Sequence, residues 1–306
     1  MIQLTYKGVD ITDSVSINQC YHDMYAGGRS DTLNIRVNDT KHIWDSWGAS
    51  GGDEIRVDYG PINTGTMFVS SVRPRNGVVE IIAQAAPLSG FDATNKAWQR
   101  VRLLQIAEEI ARKNNLSFQS YGVEDRRYDY VLQSNEGDFK FLNRRAMLEG
   151  CAILIYNKTL ILYSEEYMES QSPAEAITVP VDGDYNNTSN GYALYGSCIV
   201  ENGLYSGEYS VDNGSSRIYR PSGIGNIGSN EEARRFAKNI LRDKNKGCFR
   251  GYLRTNVLPG YAAASMITVV NDRAPSWNGS VFIDHLRNDY GRGQSKIFFR
   301  KPLEGY

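Results

Sequence analysis

The chain has 306 residues, enough for two or three hydrophobic cores without disulfides or structural metals. Its 34 basic and 35 acidic residues give a formal net charge of −1, which excludes a general attraction to nucleic acid or anionic lipid. The cysteines form no CxxC pair, so the sequence predicts no zinc ribbon, redox motif or disulfide framework; they are Cys20, Cys151, Cys198 and Cys248.

Residues 1–90 show the pattern of short β-strands. Apolar and polar side chains alternate in short runs separated by Gly, Pro and Asn, as at Leu33, Ile35 and Val37. This spacing is typical of a β-sandwich or a β-barrel. The N-terminal stretch has neither the basic start nor the apolar centre of a signal peptide, so we expect cytoplasmic synthesis. No apolar run approaches membrane-spanning length, and membrane insertion is not expected.

Residues 91–172 are predicted to form a small α+β unit. In VRLLQIAEEIARKNN, apolar residues such as Val101 and Leu104 recur three and four positions apart, which predicts an amphipathic helix. A second helix is predicted in SNEGDFKFLNRRAMLEG, with Ser134 or Asn135 as its N-cap. The polar, tyrosine-rich segment between them, YGVEDRRYDY, is predicted to be a connector.

A β-hairpin is predicted directly after the second helix, which Gly150 is expected to end. The runs CAILIY and TLILY are apolar and short, as strands are, and the two residues between them, Asn157 and Lys158, predict a tight turn.

Residues 173–306 are predicted to form a second β-rich unit that contains one helix, at about 230–246. Ser229 and Glu232 have the spacing of a capping box at the start of this helix. Its apolar stripe consists of Ala233, Phe236, Ala237, Ile240 and Leu241.

The middle of the chain resembles the phage tail hub family, which includes the late control protein D group, the T4-type baseplate hub and the hubs of contractile bacteriocins. The resemblance is carried by Trp98, by IAEEIARKNNL, and by QSNEGDFKFLNRRAMLEGCAILIYNKTLILY. Later in the chain, SNEEARRFAKNIL and WNGSVFIDHLRND resemble the late helix and closing strand of the family. The residues at the family's motif positions are Gln133, Asn135, Glu136, Asp138, Phe141, Leu142 and Gly150.

The resemblance implies a mainly β fold with an α+β insert. Two tube-like β-barrel domains, 1–90 and 173–306, would flank a small helix–hairpin domain, 91–172. It further implies a structural baseplate hub of a phage tail or tail-like particle, in which a homotrimeric ring joins the tail tube to the central spike. The implied partners are the spike, tail tube, tape-measure and baseplate wedge proteins.

Two motifs suggest ligand sites but lack the required context. GIGNIG has the glycine spacing of a dinucleotide loop, yet Glu231 and Glu232 occupy the helical turn where a pyrophosphate would bind, so we interpret it as a flexible loop. DGDYNNTSNG begins like a calcium loop, but Asn187 and Ala193 replace the required Gly and Glu, which favours an exposed turn.

No catalytic arrangement is predicted. His22, His42 and His285 are the three histidines, and none has metalloprotease spacing. His22 precedes Asp23, and His285 follows an aspartate, but neighbours on a strand point to opposite faces and cannot form a dyad. The sequence has no GxSxG motif. We therefore expect a protein that is not an enzyme and has no cofactor, no metal and no specific nucleic-acid site.

The twenty tyrosines are many for this length. Tyr121, Tyr128 and Tyr130 lie on the polar connector, and we predict that they contribute to a subunit interface, the alternative being packing against the chain's own helices. A different reading of the aromatic content is a carbohydrate- or receptor-binding tail module, with rings as stacking platforms. A cell-wall hydrolase is a third, less favoured alternative, because the second β unit extends to the last residue and leaves no room for a fused hydrolase.

Overall fold

The computed structural model describes residues 1–40 and 43–306, and this part of the chain is mainly β, with five α-helices. The predicted fold class is therefore confirmed. The elements of the first ninety residues are β1 (Ile2–Tyr6), β2 (Val9–Asp10), β3 (Ser16–Tyr25), β4 (Thr32–Asn38), α1 (Ile43–Ser46), β5 (Glu54–Tyr59), β6 (Ile62–Asn63), β7 (Met67–Arg75) and β8 (Val78–Gln84).

Residues 91–172 contain both helices and strands. Their elements are β9 (Thr94–Arg102), α2 (Leu103–Lys113), β10 (Ser117–Tyr121), β11 (Arg127–Glu136), α3 (Asp138–Leu148), β12 (Cys151–Tyr156), β13 (Thr159–Ser164) and α4 (Glu165–Glu169). The remaining elements are β14 (Ala176–Thr178), β15 (Tyr185–Ser189), β16 (Ser197–Glu201), β17 (Ser206–Ser210), β18 (Ile218–Tyr219), α5 (Asn230–Asn245), β19 (Phe249–Asn256), β20 (Met266–Val270), β21 (Gly279–Asp289) and β22 (Gln294–Arg300).

One 14-stranded sheet runs through both β units. The long strand β21 connects them, because its first half pairs with β20 and its second half pairs with β3. A register shift between Ile283 and His285 marks the change of partner. The main path of pairing is open, from β15 at one end to β2 at the other, so the two separately closed barrels that we expected are not found among the described strands. The physical reason is the antiparallel pairing of β21 with β3, which makes one sheet of the two units.

The second unit also carries a small separate sheet. Its strand order is β17, β16, β18, and α5 packs against β16 and β17 with the apolar stripe expected from the sequence. The predicted cap by Ser229 is confirmed, since the Glu232 N–H donates to Ser229 Oγ at 3.1 Å. The second half of the capping box is displaced by one residue, because Glu232 Oε2 accepts the Gly228 N–H, at 2.6 Å, and not the Ser229 N–H.

The segment between the two helices of the insert is not a connector. It contains the end of β10, which pairs in parallel with β13, and the start of β11, which pairs with β9. Ser134 and Asn135 lie in β11, and Gly137 is the N-cap of α3. The helix therefore starts two or three residues later than expected, because pairing with β9 holds the polar run before it in an extended conformation.

The insert and the first β unit share one hydrophobic core. Its largest cluster of buried side chains includes Val37 of β4, Trp98 of β9, Phe141 of α3 and Ile155 of β12. The insert therefore packs against the first sheet through apolar contacts. The domain boundaries at residues 90 and 172 stay predictions.

The predicted hairpin of β12 and β13 is confirmed. Asn157 and Lys158 both have positive φ, 44° and 59°, as a two-residue turn of type I′ requires. Asn tolerates this conformation, which is why Asn157 is a turn signal in the sequence.

Gly150, between α3 and β12, should not tolerate a side chain. Its φ is +69°, and a Cβ there would lie 2.7 Å from Oδ1 of Asn239, whose Nδ2 donates to the Leu148 carbonyl. We expect Gly150→Ala to lower the free energy of unfolding by about 2 kcal/mol, as measured by urea denaturation. Gly247→Ala is the matched control, because a Cβ at Gly247 meets no atom within 4 Å. Equal stability of the two variants would contradict this assignment.

Candidate functional site

The motif residues that carry the resemblance converge on Asp138, at the first turn of α3. Its buried carboxylate accepts the Gln133 Nε2–H and the Asn114 Nδ2–H, both at 3.0 Å, and pairs with Lys113 Nζ at 2.9 Å. Burial raises the pKa of Asp138, but these donors outweigh that effect and hold the pKa below its ordinary value. Asp138 thus fixes the start of α3 against β11 and the end of α2.

Further motif positions are also structural. The ring of Phe141 stacks on that of Trp98, with centroids 5.2 Å apart and planes 7° from parallel. Glu136 accepts from Arg144 at 2.5 Å, and the Asn135 backbone N–H is bound by the side chain of Asn95. Leu142 lies in the same hydrophobic core. These residues build the insert.

A buried cluster of charges joins the insert to the C-terminal β unit. Arg300, at the end of β22, is 0 % exposed. Its guanidinium lies 2.6 Å from Glu169 of α4, 3.0 Å from Asp284 of β21 and 3.6 Å from Glu165. Glu169 also pairs with the buried Arg242 of α5, at 2.5 Å. Three elements, β22, α4 and β21, therefore meet at Arg300, and α5 joins them through Glu169.

Burial and charge pairing act in opposite directions in this cluster, and burial raises the pKa of the Asp284 carboxyl above its ordinary value. Burial alone would lower the pKa of Arg300, but the carboxylates of Asp284, Glu169 and Glu165 outweigh it and raise that pKa above its ordinary value. Lys246, the residue that follows α5, lies 2.8 Å from Glu165 and extends the cluster. The arrangement can hold segments together, and it contains no group positioned as a nucleophile.

A second polar cluster lies where the two β units pair. Asp23 of β3 is 2.6 Å from His285 Nε2 and 2.8 Å from Arg287 Nε, both on β21. The His285 ring stacks between Tyr25 and Phe298, at 4.5 and 4.7 Å. The sequence separates Asp23 from His285 by 262 positions, so no local pattern predicts this Asp–His contact.

Of the two remaining histidines, the structure describes His22. His22 is buried, its Nδ1 lies 3.1 Å from the Tyr290 hydroxyl, and burial lowers its pKa to about 4, so the ring is neutral. His42 lies outside the described residues. Within residues 1–40 and 43–306, no group of three or more His, Cys, Asp and Glu side chains is placed to hold a metal ion.

The three tyrosines predicted for a subunit interface fall into two groups. Tyr121 and Tyr130 are 44 % and 40 % exposed. Tyr128 is 4 % exposed, donates to Glu149 Oε1 at 2.7 Å and lies under the guanidinium of Arg145. Tyr128 therefore packs within its own chain, and the interface stays a prediction that now concerns Tyr121 and Tyr130.

The two ligand-like motifs are occupied by the chain itself. Before α5, the Gly228 N–H is taken by Glu232, so this helix start offers no free site for a phosphate there. The calcium-like segment is only in part a turn, because β15 begins at Tyr185 and pairs with β19, and Asp184 forms an ion pair with Arg254 at 2.7 Å.

Asp31 predicts a pH dependence of stability. It is buried beside β3, where Oδ1 accepts the Tyr25 N–H at 2.8 Å, and burial raises its pKa to about 7. The folded chain thus holds the proton of the Asp31 carboxyl more tightly than the unfolded chain does. The contribution of Asp31 to the free energy of unfolding therefore decreases as the pH rises from about 4 to about 7. The Asp31→Asn variant should therefore have a higher free energy of unfolding than the native chain at pH 8, where Asp31 is ionised, but not at pH 4.

Urea denaturation at both pH values measures this difference. Asp182→Asn, at an exposed position, serves as the control and should change little at either pH. A stability difference between Asp31→Asn and the native chain that is the same at pH 4 and pH 8 would show that Asp31 does not titrate in this range.

Comparisons with known proteins identify the class of fold. No protein-family model matches the chain, and no curated protein matches its sequence. Among solved structures, the 43 kDa tail protein of prophage MuSo2 from Shewanella oneidensis is similar with a TM-score of 0.78 and 12% identity, over 98% of both chains. A tail protein from Neisseria meningitidis MC58 gives 0.76 and 11% identity, over 98% of this chain and 96% of that one.

A third similar structure comes from a different system. It is the E. coli c3393 protein, described as a component of the type VI secretion system with structural similarity to the T4 bacteriophage tail proteins gp27 and gp5. Its TM-score is 0.65 at 12% identity, over 99% of this chain and 78% of that one. The chain therefore has the fold of phage tail proteins. The resemblance to the tail hub family is confirmed at the level of this fold.

Proposed function

We infer that the protein is a structural baseplate hub of a phage tail or tail-like particle. The observation that carries this proposal is the similarity over 98% of both chains to a prophage tail protein. In the proposed assembly, three copies form a ring that joins the tail tube to the central spike. The expected partners are the spike, tail tube, tape-measure and baseplate wedge proteins, and the location is the baseplate.

The internal contacts fit a load-bearing part. A hub transmits force between tube and spike, so its segments must not separate. The two β units share a hydrogen-bonded sheet through β3 and β21, and buried ion pairs at Arg300 and Asp23 add directional contacts. The proposed role is mechanical and not catalytic.

The ring would need matching surfaces on each copy. A closed threefold ring uses two different surfaces of each subunit, and exposed aromatic side chains are common anchors in such contacts. Tyr130 lies on β11, whose one partner among the described strands is β9, and Tyr121 ends β10. We assign these two tyrosines to the contact between neighbouring copies.

Mass measurement tests the ring. We expect light scattering to give three chains per complex when the chain is mixed with the spike protein of its own tail. A Tyr121→Glu, Tyr130→Glu double variant should lower the amount of trimer at least tenfold, while Tyr192→Glu, at a 97 % exposed position, should not. A single copy per assembled particle would overturn the proposal.

A further inference from the structure

An unpaired strand edge lies within the insert, at β12. The order of this three-stranded sheet is β10, β13, β12, so β12 has a partner on one side alone among the strands that the structure describes. In a hairpin with a two-residue turn, the residues that flank the turn form a hydrogen-bonded pair, and such pairs then alternate along the ladder. The N–H and C=O groups of Cys151, Ile153 and Ile155 therefore point away from β13.

These outward backbone groups lack partners. Within residues 1–40 and 43–306, none of the backbone hydrogen bonds of turns and loops ends on Cys151, Ile153 or Ile155. The three residues are nevertheless only 5–7 % exposed. Buried backbone groups without hydrogen bonds are costly, so the edge is suited to receive another strand.

A groove runs along this edge, and we call it the β12 groove. It consists of two adjoining clefts, of about 390 and 200 Å³, that share Gly28 and Asn143 in their walls. Cys151 and Ala152 line the first cleft, and residues 153–155 line the second. Successive side chains of a strand point to opposite faces of the sheet. Three consecutive residues, 153–155, can therefore line the second cleft only if this cleft runs along the backbone edge of β12.

The walls of the β12 groove define the chemistry of its occupant. The second cleft is mostly apolar, with Phe91 and Phe139 opposite the isoleucines of β12. All the acidic side chains in the walls already have ion-pair partners; they are Glu165, Asp243 and Asp284.

Three basic side chains in the walls have no such partner. Among the described residues, Arg29, Lys140 and Lys244 line the groove and form no ion pair. Counted together, the walls of the two clefts carry five basic side chains and three acidic ones, so their net charge is positive and favours a segment with acidic side chains.

We propose that the β12 groove binds an extended segment of a partner protein, acidic and with apolar residues at alternate positions, as an added strand on β12. Backbone hydrogen bonds to Ile153 and Ile155 supply affinity, alternate apolar side chains face the phenylalanines, and the acidic groups face the three bases. The groove lies within one chain, so this proposal does not depend on the trimeric ring.

The test uses the full chain and a fluorescent peptide of about seven alternating Val and Glu residues, long enough to span the strand. We expect the peptide to bind with a Kd below about 100 µM by fluorescence anisotropy. A peptide with the same sequence but N-methylated at alternate residues keeps the side chains and loses the outward hydrogen bonds. It should bind at least tenfold more weakly, and a Val–Lys peptide should bind more weakly still.

Variants of the chain test the site itself. Arg29→Glu combined with Lys140→Glu should weaken peptide binding at least tenfold, while Arg75→Glu, an exposed base of β7 outside the groove, should leave it unchanged. Hydrogen exchange at the Ile153 and Ile155 amides should slow when the peptide is bound. Absence of binding, equal binding of the N-methylated peptide, or unchanged exchange at these two amides would each overturn the proposal.

Discussion

Replacing Arg300 by Met is expected to lower the free energy of unfolding by about 3–5 kcal/mol. The guanidinium is fully buried and lies within ion-pair distance of Glu169, Asp284 and Glu165. Methionine fills much of the space but leaves these carboxylates without their common partner. Removal of one member of a buried cluster costs more than the net value of the ion pairs, because the remaining charges stay desolvated.

The Arg300→Met effect has a pH signature. Unpaired buried carboxylates bind protons more readily, so the stability difference from the native chain should narrow as the pH falls from about 7 to about 5. Urea denaturation at the two pH values measures it. Arg36→Met is the matched control, because Arg36 pairs with Glu80 at 3.2 Å on the surface and should cost less than about 1 kcal/mol. Equal losses in the two variants would contradict the role assigned to Arg300.

The parts of the fold that follow from local sequence could be predicted. The hairpin of β12 and β13 has two apolar runs and a two-residue turn within fourteen consecutive positions, and α5 has both a capping serine and an apolar stripe. The mainly β class follows from many short alternating runs. In each case the residues that determine the element are close in sequence, so no knowledge of distant partners is needed.

Elements that depend on distant partners could not be predicted. β11 contains polar residues such as Gln133. The side-chain amide of Gln133 is buried, and it donates hydrogen bonds to Asp138 and Thr94. Its strand conformation follows from pairing with β9, which lies more than thirty positions earlier in the chain. The contact between Gln133 of β11 and Thr94 of β9 is an example. A polar run with this pattern resembles a loop or a helix start, which is why the N-cap of α3 was misplaced.

The candidate site shows the same limit more strongly. Asp23 and Arg287 meet over a separation of 264 positions, and Arg242 meets Glu169 over 73. Neither pair has a signature in sequence, because the contact exists only after β21 has paired with β3 and α5 has packed near α4. The edge of β12 is another example, since alternation alone does not tell which side of a strand will lack a partner.

Phe141→Ala should lower the free energy of unfolding by about 3–5 kcal/mol, because it removes a fully buried ring from the core that joins the insert to the first β unit. The lost stack with Trp98 should also reduce the near-ultraviolet circular dichroism of the native state. Phe141→Leu keeps most of the apolar volume and should cost less. Leu132→Ala, at a 46 % exposed position of β11, should change stability by no more than about 0.5 kcal/mol. If Phe141→Ala and Leu132→Ala were equally stable, the Phe141 ring would not be a major contributor to the core that the insert shares with the first β unit.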